Sequence, residues 1–377
     1  MPHATPTITR NDFLDPRQHE QRVLVVLFLR GGADGLTLVP PAADDRYHSA
    51  RPVLAVRPAD AIDLDGYFAL NGQLRPLLRH LESRDMAIVH GAGSEDDTRS
   101  HFEAQDTMEH AGDLGSGWLG RYLRARGPSA SALSGVAIGT TRPESLRGAP
   151  AGAVMQTLAD FSLGDHDAAL VDQLSRLYAA EAGDLGRAAR HTIDAVEKLR
   201  TLRAANDTPD GGAIYPPSNF GRGLREIARL VKADIGLAAT TIDLDGWDTH
   251  FVQAQFIDAL MRDLAAGIDA LLKDLGEHRQ RTTVMVMTEF GRRLKENSSF
   301  GTDHGAGSVM FLLGEEAAHA GGKVVSGWPE LSDGHLDAVG DVPAAINYRD
   351  VVGPVLTSHA PGIELAKVFP GHVFKNM

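Results

Sequence analysis

Short apolar runs, each ending in a glycine-bearing or polar turn, recur along the chain. They are rich in β-branched residues, which is typical of buried strands, and they occupy residues 23–29, 86–89, 136–138, 240–244, 282–287 and 309–313. Between them, apolar residues at spacings of three and four predict helices at 74–81 and 256–275. Strands that alternate with helices predict an α/β fold with a largely parallel central sheet flanked by helices on both faces.

Residues 151–234 follow a different pattern. This stretch contains helical patterns at 168–180 and 188–202 and a polar, Pro/Gly-rich break at 206–219, with no predicted strand. The apolar faces of these helices are too thin for an independent core. We therefore interpret 151–234 as a mostly helical insertion or cap within a single domain that spans 1–377.

Composition narrows the classes of partner and site. Of the 377 residues, 43% are hydrophobic, so the chain can bury a large core, and none is cysteine, which excludes disulfides, thiolate metal sites and cysteine nucleophiles. The net charge of −13 disfavours nucleic acid and anionic membrane surfaces as partners. Sixteen histidines make imidazole and carboxylate the expected ligands of any metal.

The N-terminal segment resembles an export signal only in part. Residues 9–14 (Thr-Arg-Asn-Asp-Phe-Leu) look like a degraded twin-arginine motif in which Asn11 stands where the second arginine would be. The polar residues 15–20 that follow cannot form the apolar segment of a signal peptide. We expect a cytoplasmic protein, and an exported form stays open.

Polar residues with chemical potential fall in the turns beside the predicted strands. Such turns follow four strands, at 30–35, 90–101, 245–250 and 288–292, and one precedes the last strand, at 301–305. In an open parallel sheet the carboxyl ends of the strands share one edge, where ligands bind. We therefore expect these turns to converge.

Five acids and histidines in these turns are candidate metal ligands: Asp34, Asp248, His250, Glu289 and His304. Each also has an ordinary reading: a turn aspartate that bonds its own backbone, or a glutamate paired with a nearby arginine. Converging carboxylates without a cation would repel by about 4 kcal/mol per close pair at an effective dielectric near 20. Convergence would therefore require a metal ion or several arginines.

Ser100 precedes His101 at the start of an apparent helix, 102–110. It could cap that helix, with Glu103 completing a capping box. It could instead be a nucleophile, because a hydroxyl at a helix N-terminus lies in the positive end of the helix dipole.

With these residues in view, the chain resembles a widespread bacterial family labelled sulfatase-like (domain of unknown function 1501) within the alkaline phosphatase superfamily. The resemblance runs over most of the chain. Its motifs are Leu29-Arg30-Gly31-Gly32-Ala33-Asp34-Gly35, Arg99-Ser100-His101-Phe102, Gly117-Trp118-Leu119-Gly120, Gly246-Trp247-Asp248-Thr249-His250, Thr288-Glu289-Phe290-Gly291-Arg292 and Asp303-His304-Gly305.

The resemblance implies an alkaline phosphatase-like fold and metal-dependent chemistry on phosphate or sulfate esters. The implied counterparts of the nucleophile and metal ligands are Asp34, Ser100, Asp248, His250, Glu289 and His304. The superfamily's usual Asp-His pair is here Glu289-Phe290, which removes one imidazole from a two-metal site. His101 or Asp303 could replace that imidazole, or the site could hold a single ion.

The sulfatase label fits the chain poorly. Superfamily sulfatases make a formylglycine from Cys or Ser in a Cys/Ser-x-Pro-x-Arg context. This chain has no cysteine, and Ser100 is followed by His101-Phe102. An ordinary hydroxyl nucleophile or an activated water is therefore expected.

These observations predict a metal-dependent hydrolase of phosphate or related oxyanion (sulfate) esters that acts on a small anionic substrate. One or two divalent ions (zinc, manganese, magnesium or calcium) would be its cofactors, and Ser100 its nucleophile or a group that orients an attacking hydroxide. Arg99 and Arg292 would clamp the ester oxygens. Two alternatives remain: a catalytically silent binding or assembly protein on the same scaffold, and a metal-dependent phosphomutase.

Overall fold

A computed structural model describes residues 22–127, 131–160, 167–204, 208–314 and 321–375. The twin-arginine-like segment at 9–14 lies outside the described residues. The strands are β1 Val23–Leu29, β2 Ala61–Asp63, β3 Ala69–Asn71, β4 Met86–Gly93, β5 Gly135–Ile138, β6 Ala153–Met155, β7 Ala239–Leu244, β8 Thr282–Met287, β9 Ser308–Leu313, β10 Val324–Ser326 and β11 Ile346–Asn347. The α-helices are α1 Gly35–Leu38, α2 Asp45–Ala50, α3 Leu78–Glu82, α4 His101–His110, α5 Trp118–Ala125, α6 Asp167–Ala179, α7 Asp184–Ala204, α8 Asn219–Lys232, α9 Gln253–Asp274, α10 Tyr348–His359 and α11 Leu365–Val368.

Nine of the described strands form one mixed, mostly parallel sheet. Eight follow the order β10-β4-β9-β8-β1-β7-β5-β6, and β11 also pairs with β4. The pairs β8–β1, β1–β7, β7–β5 and β5–β6 are parallel, whereas β9 runs antiparallel to both β4 and β8. All six strands predicted from the apolar runs are present, and the predicted α/β sheet is confirmed.

Helices cover both faces of the sheet because its central strands are apolar on both sides. Along β1, successive residues alternate between two separate cores: Val23, Val25, Leu27 and Leu29 belong to the first, and Leu24, Val26 and Phe28 to the second. Helices α8 and α9 contribute to the first core, and α5 and α10 to the second. Near-continuous apolar strands are typical of a sheet buried on both faces.

The stretch 151–234, where no strand was predicted, contains one. Strand β6 pairs in parallel with β5 at the edge of the sheet, and its three residues are too few for the apolar pattern to reveal. The helices predicted at 168–180 and 188–202 are present as α6 and α7, which pack against each other.

Strand direction explains why five turns meet at one edge. Strands β1, β7 and β8 are mutually parallel, so the turns after them lie at the same edge of the sheet. Because β9 runs the opposite way, it is the turn before β9 that reaches this edge. Within the described residues, no helix has the length and apolar character needed to cross a membrane.

Candidate metal centre

Three histidines and one aspartate from three separate turns meet at this edge. The Oδ1 atom of Asp248 lies 3.1 Å from Nε2 of His101, 3.1 Å from Nε2 of His250 and 3.3 Å from Nε2 of His304. The Nε2 atoms of His250 and His304 are 2.9 Å apart. Ligand atoms of His101, Asp248 and His304 all lie within 4.8 Å of one another.

Each of these imidazoles has its Nδ1 atom bound to an acceptor. The Nδ1–H of His101 donates to a carboxylate oxygen of Glu289 at 2.8 Å, and that of His250 donates to Asp303 at 3.0 Å. The Nδ1–H of His304 donates to the backbone carbonyl of Arg99 at 2.5 Å. A carbonyl or an ionised carboxylate can only accept, so all three rings carry a proton on Nδ1.

This arrangement leaves the Nε2 lone pairs directed at one another and at a carboxylate. In neutral imidazoles with Nδ1 protonated, Nε2 can only accept a hydrogen bond or bind a cation. Among the described residues, the buried Nε2 of His101 makes no well-aligned hydrogen bond, although it lies 3.1 Å from the Asp248 carboxylate. The donor set is therefore suited to a metal ion, because metal-bound histidines typically direct their other nitrogen to a carboxylate or backbone carbonyl.

The charges around the pocket pull the pKa values in opposite directions. Burial alone would raise the pKa of Asp248, but hydrogen bonds and charges from Arg292 and His101 outweigh it and hold the pKa well below its usual value. Burial opposes protonation of His101, yet the neighbouring Glu289 and Asp248 raise its pKa. Burial lowers the pKa of His304, so this imidazole favours its neutral form.

Glu289 supports His101 from behind. Its carboxylate is buried and accepts hydrogen bonds from His101, from the Gln105 side chain at 2.8 Å and from the Gly31 backbone N–H at 2.9 Å. Although burial alone would raise its pKa, these donors hold the pKa below its usual value. Glu289 was predicted to be a metal ligand. In the structure it orients the His101 imidazole, and both of its carboxylate oxygens accept hydrogen bonds from protein donors.

Asp303 supports His250 in the same way, but at the surface. Its Oδ1 atom accepts from His250 and, at 3.2 Å, from the Asn297 side chain. The hydrogen bond from His250 is the main cause that lowers the pKa of Asp303. Asp303 therefore faces the outer nitrogen of His250, away from the three Nε2 atoms.

The structure does not bring Asp34 to the group, in contrast to the sequence prediction. Its carboxylate is fully buried and pairs with Arg51 through two hydrogen bonds, at 2.6 and 3.0 Å. Thr37 and Gln253 donate to it at 2.7 and 2.6 Å. Burial would raise its pKa, but the Arg51 charge and these donors lower it. With its charge compensated, Asp34 has no need of a metal ion.

Both arginines predicted to clamp an ester donate to protein acceptors. Arg292 is buried, and its guanidinium donates to the carbonyls of Gly31, Gly32, Trp247 and Thr302 and, at 2.7 Å, to Asp248. Arg99 donates to the His304 carbonyl at 3.1 Å and to Asp341 at 3.3 Å. Both arginines hold the ligand turns together, because each bridges segments that are remote in sequence.

Ser100 and Phe290 lie beside the imidazoles. Ser100 precedes α4, but its hydroxyl makes no capping hydrogen bond, and Glu103 instead accepts from Thr98. The capping box considered for Ser100 is therefore absent from this part of the structure. The buried Phe290 ring stacks on His101, with ring centroids 4.8 Å apart, and also contacts His304. An apolar ring thus fills the position where the superfamily pattern implies an imidazole.

Gly31 allows the turns after β1 and β7 to meet. Its φ of +115° is unfavourable for other residues, and a Cβ atom there would lie 2.4 Å from the backbone nitrogen of Asp248. Its own N–H donates to Glu289. A side chain at this position would therefore push Asp248 away from the histidines.

Three supporting residues went unrecognised in the sequence: Arg51, Gln105 and Gln253. Gln253 links Asp34 to the ligand turns, since its side-chain oxygen accepts from Thr302 at 2.6 Å and from Thr249 at 3.1 Å. Isolated polar residues at helix ends carry no local signal of such a role. Only the position of Gln105, four residues after His101 and thus on the same helix face, could have suggested it.

Comparison with known proteins identifies the family of the chain. The model of the family described as "Protein of unknown function (DUF1501)" matches residues 86–363, which includes all four residues of the candidate metal centre. The chain belongs to this family. No curated protein matches it significantly. The family membership agrees with the resemblance seen in the motifs.

Solved structures resemble the DUF1501 chain only distantly. Alkaline phosphatase from the Antarctic bacterium TAB5 is 10% identical, with a TM-score of 0.32 over 81% of this chain and 94% of that chain. A variant of that enzyme with Mg bound is 12% identical, with a TM-score of 0.34 over the same fractions of the two chains. Ps i-CgsB in complex with k-i-k-neocarrahexaose is 12% identical, with a TM-score of 0.39 over 94% of this chain and 75% of that chain. Similarities of this size carry no argument about activity.

Proposed function

We propose that this protein is a metal-dependent hydrolase of phosphate or related oxyanion esters. One divalent cation would be held by Nε2 of His101, His250 and His304 and by a carboxylate oxygen of Asp248. The observation that carries the proposal is the convergence of three imidazole lone pairs on one carboxylate, each imidazole fixed from behind through Nδ1.

The donor set narrows the metal. Three nitrogens and one oxygen suit zinc or manganese better than magnesium or calcium, which prefer oxygen ligands. A second ion has no comparable set among the described residues, because Asp34 is paired with Arg51 and Phe290 supplies no donor atom. We therefore favour one ion over two.

The charge of the centre fits an anionic ester. Three neutral imidazoles and one carboxylate would leave a net positive charge around a divalent ion, within a chain whose overall charge is −13. Such a centre would attract a phosphate or sulfate group that the rest of the surface repels. The bound ion would supply Lewis acidity, withdrawing charge from the ester oxygens.

The chain's own residues would orient the reaction. Ser100, adjacent to the ligand His101 and at the N-terminus of α4, places a hydroxyl without a capping role in the positive end of the helix dipole. We propose that this hydroxyl is the nucleophile, or alternatively orients an attacking hydroxide. Glu289 and Asp303 would keep His101 and His250 in the tautomer that presents Nε2.

Metal binding is the first test. Equilibrium dialysis of the full chain with zinc and with manganese should show about one tight ion per chain, and His250→Ala or His304→Ala should weaken binding at least about tenfold. His191→Ala, on α7, is the matched control and should bind like the wild type. Equal binding by all variants would remove the proposed centre.

Turnover is the second test. The metal-loaded protein should hydrolyse members of a phosphate monoester, phosphodiester and sulfate ester panel, and chelation should abolish the activity. Ser100→Ala should lower kcat by about a hundredfold or more if the hydroxyl is the nucleophile, with metal content unchanged. Metal binding without turnover on any ester would argue against a hydrolase.

A binding or assembly protein is the second candidate, favoured by one observation. Both guanidinium groups already donate to protein acceptors in this conformation, Arg292 through all three of its nitrogens and Arg99 through Nη1. This candidate predicts that the metal-loaded protein binds an anion without consuming it. Unchanged anion affinity in Ser100→Ala, together with no turnover, would support it over the hydrolase.

A further inference from the structure

Exposed aromatic rings are concentrated beside the metal centre. Within the described residues, the exposed side chains among phenylalanine, tyrosine and tryptophan are Phe102, Phe251, Phe256 and Phe300, which are 86%, 59%, 50% and 54% exposed. We call these four residues the phenylalanine rim. Large apolar groups that face solvent next to a polar centre are typical of ligand-contact surfaces.

The rim is interleaved with the ligands. Phe102 directly follows His101, and Phe251 directly follows His250; both imidazoles lie 3.1 Å from the same Asp248 oxygen. Because neighbouring Cα atoms are only about 3.8 Å apart, the backbone that positions these two imidazoles also carries Phe102 and Phe251. A surface for a large, remote partner would not need this interleaving.

The other two rings are joined to the same turn. The rings of Phe251 and Phe256 pack edge to face, with centroids 6.1 Å apart. The backbone N–H of Gln253 donates to the carbonyl of Phe300 at 2.9 Å. The backbone of Phe300 therefore lies beside the segment 250–253, which carries Phe251 and leads to Phe256.

This surface is held by a strained but well-bonded backbone. Val252 and Phe300 have φ of +45° and +59°, and a β-branched residue is rarely found in this region. The Val252 N–H donates to the Ser299 carbonyl at 3.0 Å, and the Asn297 side chain donates to the His250 carbonyl at 2.9 Å. Strain that the surroundings enforce is concentrated at sites of ligand contact.

We infer that the phenylalanine rim binds an apolar, ring-bearing group of the substrate, so that the preferred ester is one whose alcohol part carries an aromatic or similarly flat apolar group. This inference rests on the proposed function for the reacting half of the substrate. It adds the chemistry of the other half, which the metal centre does not specify.

A pair of non-hydrolysable anions tests the inference without requiring turnover. Titration calorimetry of the zinc- or manganese-loaded chain should show that phenethylphosphonate binds about tenfold more tightly than ethylphosphonate, because its ring is removed from water. Phe251→Ala and Phe300→Ala should reduce this ratio to about two or less while leaving ethylphosphonate affinity unchanged. Both replacements are of exposed side chains, so circular dichroism should match the wild type.

Ile214→Ala provides the matched control. Ile214 is 86% exposed and lies between Asp210 and Tyr215, which both donate to Asp274 at the C-terminal end of α9, the opposite end from the metal centre. This variant should keep the tenfold ratio. Equal affinity of the wild type for the two phosphonates, or a preference that survives in both phenylalanine variants, would overturn the inference and leave the rim to a macromolecular partner.

Turnover separates this inference from the proposed function. If the chain hydrolyses esters, phenethyl phosphate should exceed ethyl phosphate in kcat/KM by a similar factor, since both release a primary alcohol. Tight, ring-dependent phosphonate binding with no hydrolysis would contradict the proposed hydrolase function but support the binding role of the phenylalanine rim. Hydrolysis of both esters at equal kcat/KM, with equal phosphonate binding, would support the proposed hydrolase function but contradict the binding role of the phenylalanine rim.

Discussion

Two aspartates at the ends of neighbouring strands lie in opposite electrostatic environments. Asp34 follows β1 and Asp248 follows β7, and these strands are adjacent and parallel. Asp34 is 1% exposed and bound by Arg51, Thr37 and Gln253. The side chain of Asp248 is 48% exposed and faces three imidazole nitrogens.

The difference lies in what the partners offer. Asp34 is surrounded by hydrogen-bond donors, which neutralise its charge and leave it nothing to bind. Asp248 accepts from Arg292 and otherwise faces three imidazole nitrogens, which in neutral rings protonated on Nδ1 present lone pairs that cannot compensate a carboxylate. A carboxylate at a strand end therefore becomes a metal-ligand candidate only where the polarity of its neighbours requires a cation.

The largest expected effect comes from breaking the buried pair. Arg51→Ala should leave Asp34 charged and unpaired and should lower the free energy of unfolding by about 3–5 kcal/mol. The measurement is urea unfolding of the metal-free protein at pH 7.

Asp248→Asn is the matched replacement in the other region. It should change the unfolding free energy by less than about 1 kcal/mol, since Asp248 is half-exposed and the amide oxygen can still accept from Arg292. Its expected defect is in zinc affinity. Similar destabilisation by the two variants would erase the contrast between the regions.

The next effect concerns a histidine in surroundings like those of Asp34. Nε2–H of His90 donates to the Val39 carbonyl at 3.1 Å and Nδ1 accepts from Trp328 at 3.2 Å, so the buried ring is neutral and both nitrogens are engaged. Burial lowers its pKa from 6.5 to about 4. Between pH 6.5 and 4, His90 is therefore protonated in the unfolded chain but neutral in the folded chain. The free energy of unfolding falls by up to about 3 kcal/mol as the pH drops through this range.

His90→Gln isolates this contribution. Its amide can donate to Val39 and accept from Trp328 without titrating in this range. The variant should be less stable at pH 7 but should lose less stability than the wild type between pH 6.5 and 4. Parallel pH profiles would show that His90 is not the group responsible.

The smallest effect is expected behind the candidate metal centre. Glu289→Gln should keep the packing but replace an ionised acceptor with a neutral amide, so zinc affinity should fall by about ten- to a hundredfold. Asp303→Asn, which supports His250 at the surface, should cost less because solvent can replace it. Competition with a coloured chelator measures both, and a larger loss in Asp303→Asn would reverse the assigned order.

Much of the fold could be predicted because it is encoded locally. The six apolar runs and the helix at 256–275 carry their own periodicity, and all of them appear as elements. Strand β6 has only three residues, too short to show a period. The reversal of β9 between β4 and β8 has no local signature either, although it explains why the turn before that strand reaches the site.

The sequence by itself determined which strands exist, which turns carry acids, imidazoles and glycines, and that no thiolate takes part. Tertiary structure decided which of these residues meet and what each one faces. Arg51 stands 17 residues from Asp34, and Glu289 stands 188 residues from His101. The physical reason is that ligation depends on the donors and lone pairs around a carboxylate, and only folding brings those neighbours together.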